Sequence, residues 1–385
     1  MKRNAIIVCS YLLVAMLATV MTLTLVYMDG GLAPTKLEQL EALIQERFIG
    51  EADMADLEDA AARAMVSATG DRWSYYISAD DYEAHREQMA NAYVGVGITI
   101  QEMEGNQGFL ILAVSPGGPA EEAGLMVEDL VIRVAGQDVR EMSTEEVRTL
   151  VKGKEGTWVD MTVQRKGEVR SFSVERRTVQ TPVASWEMLD HNIGLVTIEN
   201  FDDRCAQETI AAIETLLDNG ARRLIFDVRN NPGGYAHELV KVLDHLLPEG
   251  ELFRAVTYDG EENIDYSDES CLEIPMAVLV NGSSYSAAEF FAAALQEYDA
   301  AVVVGKQTSG KGYFQTTIRL NDGSAVALSV GKYYTPKGRS LAEVGITPDR
   351  WIETDDGTEA DIYYGLLKPE DDPYIQAAMQ MLKNK

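Results

Sequence analysis

Residues 278–315 read VLVNGSSYSAAEFFAAALQEYDAAVVVGKQTSGKGYFQ, and the reading of this stretch decides the fold. The apolar run Met276 to Val280 predicts a buried strand that breaks at Asn281-Gly282. A small-residue turn, Ser283-Ser284-Tyr285-Ser286, leads into a helix predicted over Ala287 to Tyr298, then a second apolar strand, Ala300 to Gly305. A strand, a tight serine-bearing turn and a helix together expose a nucleophilic hydroxyl beside a helix N-terminus. Ser286 sits at the helix mouth, where the Ala287 N–H lacks an intrahelical partner and the dipole favours developing negative charge. The alternative is that Ser284 or Ser286 only caps the helix.

A nucleophile needs a base. His237 and His245 lie in a helix beyond an Asn-Pro-Gly-Gly turn, and nothing in the sequence aims either at the serine. Lys311, in Ser309-Gly310-Lys311-Gly312, is the better candidate, because flanking glycines let backbone pack closely around it. A lysine acts as a base only when desolvation lowers its pKa well below about 10.4. Gln315 is four residues on, hence on the same face of a strand, where an amide holds the amine without adding negative charge. The alternative for any single lysine is a solvated surface group.

Outward from this stretch the chain alternates strands and helices. IGLVTIENF from Ile193, the helix CAQETIAAIETLLDNG, the strand RRLIFDV, the turn Arg229-Asn230-Asn231-Pro232-Gly233-Gly234 and the helix YAHELVKVLDHLL precede it. The hairpin YFQTTIRLNDGSAVALSVGKYYT follows. This order predicts a layered α/β core within an α+β multidomain protein. No Gly-x-Gly-x-x-Gly follows a strand and no phosphate loop is present, so nucleotide use is unsupported.

Tyr93 to Arg177 has a different rhythm: YVGVGITI, GFLILAV, SPGGPAEEAGL, DLVIRVAGQDV, the helix TEEVRTLVKG and the hairpin WVDMTVQRKGEVRSFSVERR. This order resembles a PDZ domain of the bacterial protease form. The resemblance makes Tyr93, Val94, Gly95, Val96 and Gly97 the carboxylate-binding loop, in which glycines let successive N–H groups converge on a peptide's terminal carboxylate. Residues 35–90 are acidic and helical in pattern, with an aromatic turn at Asp71-Arg72-Trp73-Ser74-Tyr75-Tyr76.

At the N-terminus, Lys2 and Arg3 precede the uncharged segment Ala5 to Met28, long enough to cross about 30 Å of hydrocarbon as a helix. The flanking charge predicts a single-pass signal-anchor in the cytoplasmic membrane with the bulk of the chain outside; a cleaved signal peptide is the alternative. The domain reading is therefore 1–28 anchor, 29–90 helical subdomain, 91–178 PDZ, 179–370 catalytic core and 371–385 C-terminal helix or tail. The acidic segment GLLKPEDDPYIQAAMQMLKNK ends in a helix that either docks on a partner subunit, as in a homo-oligomer, or is solvated.

Composition excludes several classes. Acidic residues number 62 against 33 basic, a net charge of −29, which argues against a nucleic-acid partner. Histidines are four, and His237-Glu238 begins like a zinc-binding helix but lacks the second histidine, so neither metal nor organic cofactor is expected. Cys205 and Cys271 are read as one disulfide in an oxidising compartment or as two buried thiols.

The motifs together resemble the carboxyl-terminal processing (tail-specific) peptidases, serine proteases that combine a PDZ domain with a Ser–Lys pair. Their serine motif, Ser-Ala-Ser-Ala-Ser-Glu, corresponds here to Ser284-Tyr285-Ser286-Ala287-Ala288-Glu289, which makes Ser286 the nucleophile. The resemblance makes Lys311 the base, Gln315 its support, and Ala287 with Gly233 or Gly234 the oxyanion donors. It implies an endopeptidase acting on proteins with free C-termini. Tyr285 and Ala288 depart from the motif's alanine and serine, which bears on substrate preference rather than activity. The competing reading is a catalytically silent PDZ scaffold that binds tails.

Overall fold

The computed structural model describes residues 14–22, 34–103, 105 and 107–383. The expected membrane segment lies largely outside them. Residues 14–22 of it are helical, and among the described residues no helix is long and apolar enough to cross a membrane.

The chain divides into two units at Gly70. The first holds α1 (Lys36–Arg47) and α2 (Met54–Ser67). Thr35 and Glu38 form a capping box on α1, and Asp53 caps α2. From Asp71 the chain belongs to the second unit, and the aromatic turn is partly a strand, β1 (Tyr75–Ile77). Tyr76 and Ile77 are buried, and burying them requires the backbone pairing described below.

After α3 (Ala79–Met89) and β2 (Ala92–Gly95) comes the PDZ-like region. It contains β3 (Ile98–Glu102), β4 (Phe109–Val114), α4 (Pro119–Ala123), β5 (Leu130–Val134), β6 (Gln137–Asp138), α5 (Thr144–Val151), β7 (Trp158–Arg165) and β8 (Glu168–Glu175). Its sheet runs β3-β4-β5-β7-β8, with β6 on β5, around a core of Val96, Phe109, Ile111, Val131, Val147, Met161 and Val174. β9 (Arg177–Gln180) returns to pair antiparallel with β2. The predicted loop is therefore partly strand: Tyr93 and Val94 lie in β2, and only Val96 and Gly97 fall between β2 and β3.

The layered α/β region begins with β10 (Ala184–Leu189), β11 (Ile193–Ile198), α6 (Cys205–Asp218), β12 (Arg223–Asp227), α7 (Ala236–Leu246), β13 (Gly250–Thr257) and β14 (Glu262–Ser267). It continues through β15 (Met276–Val280), α8 (Ala287–Glu297), β16 (Ala301–Gly305), β17 (Tyr313–Arg319), β18 (Ala325–Tyr334), β19 (Arg350–Trp351), α9 (Asp356–Tyr363) and α10 (Pro373–Lys383). The main sheet is ordered β10-β11-β12-β15-β16-β19 and is parallel from β11 onward. All of β15 is buried, and strand alternation splits it between two layers. Met276, Val278 and Val280 belong to the core cluster that holds the buried faces of α6, α7 and α8, whereas Ala277 and Leu279 belong to the one that holds α10. The C-terminal helix is thus neither solvated nor free for a partner along its apolar face. Tyr374, Ile375, Ala378 and Leu382 are buried in the second layer. A second sheet, β1-β18-β13-β14 with β17 on β18, flanks the first. Cys205 is a buried free thiol, whereas Cys271 is free but exposed, so neither sequence reading held for both.

Candidate active site

β12 and β15 are parallel neighbours, with Asp227 opposite Leu279, so the turns at their carboxyl ends lie side by side. Hydrogen bonds lace the turns together. Asn281 Oδ1 accepts the Asn230 N–H at 3.0 Å, and Asn281 Nδ2 donates to Asn230 Oδ1 at 2.9 Å. The Ser284 hydroxyl donates to the Val228 carbonyl at 2.6 Å and accepts the Asn281 N–H at 3.0 Å, which makes Ser284 a structural residue of the turn. The Tyr285 N–H donates to the Asn231 carbonyl at 3.1 Å.

Ser286 is buried and holds φ 58°, ψ −126° at the mouth of α8. An ordinary N-cap is extended, as at Ser78, Ser143 and Asp355 here. A positive φ costs a non-glycine residue about 1–3 kcal/mol, and such strain collects at functional sites. The conformation favours the nucleophile-turn reading over the simple cap. Gly233, at φ 86°, backs directly on this turn: a Cβ on it would stand 2.7 Å from Ser286 Cβ and 2.8 Å from the Ala287 nitrogen. Its neighbour Gly234 lies instead against Phe201 and Asp202. The Gly233 N–H donates to Asn231 Oδ1 at 2.8 Å, while the N–H groups of Gly234 and Ala287 have no acceptor among the described residues.

Lys311 does not lie in β17. It precedes the strand in a loop held by Gly310, φ 81°, and Gly312, both pressed against the backbone of residues 342–344. Lys311 and Gln315 therefore do not share one strand face, contrary to the expectation from their spacing, and a bulge between Phe314 and Gln315 shifts the register further. Gln315 Nε2 donates to Ser329 Oγ at 3.0 Å and to the Tyr313 carbonyl at 3.3 Å, and makes no bond to Lys311 among the described residues. The Lys311 ammonium sits over two rings, 5.0 Å from the Trp73 centroid and 5.5 Å from that of Tyr285, and makes no hydrogen bond to Ser286. Burial lowers its pKa, while the charges of Asp71 and Glu289 oppose that shift. The structure brings Ser286, Ala287, Gly233 and the backbone of Lys311 to one place, and leaves the lysine amine parked on the aromatic pair.

Sequence reasoning missed several residues. Glu289 is fully buried and joins the serine turn to the lysine loop. Its signal, a glutamate three residues after Ser286, reads as a capping box. Trp73 packs against Tyr285 with centroids 5.7 Å apart, and nothing in its local sequence ties it to residue 285. Asp202 is buried, one of its oxygens has no hydrogen-bond partner among the described residues, and desolvation raises its pKa to about 7.

In the PDZ-like region, β3, α5 and α3 enclose a groove of about 690 Å³ lined by Tyr93, Gly95, Val96, Gly97, Arg148 and Lys152 among others. Glu87 of α3 also lines it and accepts the Val94 N–H at 3.2 Å.

Residues 192–352 match the profile of peptidase family S41, and residues 110–165 that of a PDZ domain. The carboxy-terminal processing protease CtpA of Bacillus subtilis is 33% identical over 326 residues, covering 83% of this chain and 69% of the relative. A CtpA-like serine protease of Staphylococcus saprophyticus is 31% identical over 90% of this chain and 72% of the relative. A crystallised Bacteroides fragilis protein described as an S41 protease shares the fold, with a TM-score of 0.56 at 15% identity over 90% of this chain and 97% of that one. With the PDZ-like and α/β regions in the same order, the chain belongs to peptidase family S41, among the serine-type carboxyl-terminal processing proteases.

Proposed function

We propose that this protein is an endopeptidase that cleaves proteins captured by their C-terminal tails, with Ser286 as nucleophile and Lys311 as base. The observation that carries the reading is the strained Ser286 turn at a helix N-terminus, tied by Glu289 to the loop of a desolvated lysine. For catalysis the lysine amine leaves the Trp73 and Tyr285 rings, which favour the ammonium form, and swings to Ser286. Gln315, its amide nitrogen pinned by Ser329, offers its carbonyl oxygen to the amine after that rotation.

Neutral Lys311 then takes the Ser286 proton as the serine oxygen attacks the substrate carbonyl. The N–H of Ala287, which has no acceptor among the described residues, holds the oxyanion, with a glycine of the facing turn, Gly233 or Gly234, as the second donor. Each such donor contributes about 3 kcal/mol to the transition state. The lysine ammonium protonates the leaving amine, and water attacks the resulting ester with Lys311 again as base. The Gly95–Ile100 groove binds the substrate's tail and delivers the chain or gates the cleft. The uncharged segment Ala5 to Met28 supports tethering to the cytoplasmic membrane with the catalytic part outside; recovery of the full chain in the soluble fraction of lysed cells would remove that tether.

The test is cleavage of an unfolded protein by wild type, Ser286→Ala and Lys311→Ala, followed by mass spectrometry. Both substitutions are expected to abolish cleavage. Tail binding without cleavage by wild type would favour the silent scaffold instead.

A further inference from the structure

We infer that Glu289 is the positioning residue of this site, holding the backbone of the nucleophile and the backbone of the base on a single carboxylate oxygen. The inference rests on the Ser286–Lys311 reading. Glu289 Oε2 accepts the Ser286 N–H at 3.0 Å and the Lys311 N–H at 2.8 Å. Its Oε1 accepts the Gly310 N–H at 2.8 Å and the Thr308 hydroxyl at 2.5 Å. Thr308 Oγ1 in turn accepts the Ile346 N–H at 2.7 Å. Gly345 closes the hub: with φ 68°, a Cβ there would stand 2.7 Å from Thr308 Oγ1 and 3.0 Å from Glu289 Oε1. Three segments distant in sequence therefore take their relative positions from one side chain.

A helix cap alone does not require this arrangement. Glu289 is 0% exposed, on a helix whose next six residues, Phe290 to Leu295, are all buried and apolar. Burying a carboxylate there costs several kcal/mol unless its oxygens are saturated with donors. Desolvation accordingly raises its pKa and the four hydrogen bonds oppose the rise. An apolar residue would pack α8 without that cost, but would leave the Ser286, Gly310 and Lys311 N–H groups unsatisfied and the two loops unregistered. The carboxylate also places a negative charge near the Lys311 amine, where Asp71 supplies a second and the Trp73 and Tyr285 rings the remaining contacts.

The experiment compares pH profiles of kcat and KM for wild type, Glu289→Gln, Thr308→Val and Lys311→Ala, with thermal melts alongside. Misplacing the reacting groups lowers kcat by roughly 100-fold for Glu289→Gln while KM stays within about three-fold. Loss of the charge moves the acidic limb of kcat/KM to lower pH. Thr308→Val keeps the charge and loses one donor, so it lowers kcat by about ten-fold and leaves the limb in place. An unchanged kcat in Glu289→Gln, a loss carried by KM, or an unmoved limb overturns the inference. Should Glu289→Gln fail to fold, Thr308→Val decides: a fall in kcat at constant KM supports the role, and wild-type kcat overturns it. Cleavage by Lys311→Ala in the same series overturns the dyad reading beneath it.

Discussion

Tyr285 stands where the resembling motif carries alanine, and its ring is one of the two that face the Lys311 amine. A cation over an aromatic face gains about 0.5–2 kcal/mol, which favours the protonated lysine and opposes the role of base proposed for it. Tyr285→Ala is expected to move the acidic limb of kcat/KM to lower pH and to raise activity at neutral pH several-fold; a limb moved to higher pH contradicts the parking role. Asp202 gives a second residue-scale prediction. Its folded pKa, about 7, lies above its unfolded value, so its contribution to stability is full at low pH and is lost as pH rises through 7. Asp202→Asn therefore stabilises the protein relative to wild type more at pH 8 than at pH 5, read as the difference in Tm. Equal differences at the two pH values contradict it. At this scale the positions of Ser286 at a helix mouth and of Lys311 between two glycines that pack against backbone were legible, because local chemistry marks them; their proposed roles rest on that chemistry. Glu289 was not, because a capping-box glutamate and a buried hub have the same sequence, and only the distant Gly310 and Lys311 N–H groups tell them apart.

At the scale of elements, the site is two adjacent turns and a loop rather than any helix or strand. Gly233 shows how closely they fit. Gly233→Ala would drive a methyl group into Ser286 Cβ, whereas Gly338, with a similar positive φ of 74°, has nothing within 4 Å. Gly233→Ala is expected to lower kcat by roughly 100-fold, and Gly338→Ala to cost only the backbone penalty of about 1 kcal/mol in stability. Comparable activity in the two variants would contradict the close approach. The strands and helices of the core were readable from periodicity, because β15 is apolar throughout and α6 closes on glycine. β1 was missed because three residues carry no period, and its strand state is set by pairing with β18. The destination of α10 was missed because an amphipathic helix does not name its partner; here the partner is the second face of its own sheet. Lys311 precedes β17, as its glycine-flanked setting suggests, but does not share a strand face with Gln315, because Gly310 and Gly312 press against residues 342–344, a contact the sequence does not reveal.

Across the whole molecule, segment 71–95 runs from Trp73 at the lysine to Gly95 at the groove, with Glu87 reaching the Val94 N–H on the way. A peptide with a free C-terminal carboxylate is expected to bind the groove more tightly than its amidated twin. Glu87→Gln, which removes a negative charge from the groove wall, should tighten only the free acid, by up to about five-fold. Equal affinity of acid and amide, measured by fluorescence anisotropy, contradicts tail capture. The PDZ order and the serine turn at a helix mouth were both legible in the sequence, but the aromatic stretch joining them reads as part of a helical subdomain because its partners are far along the chain.

The central claim, that Ser286 is the nucleophile and Lys311 activates it, is tested most directly by covalent trapping. Wild type and Lys311→Ala would be treated with a serine-reactive fluorophosphonate across pH and the adduct mapped by peptide mass spectrometry. The account predicts one adduct, on the Ser286 peptide, whose rate rises with pH in wild type and falls by orders of magnitude in Lys311→Ala. An adduct on another residue, or equal labelling of Ser286 in the two proteins, would contradict it.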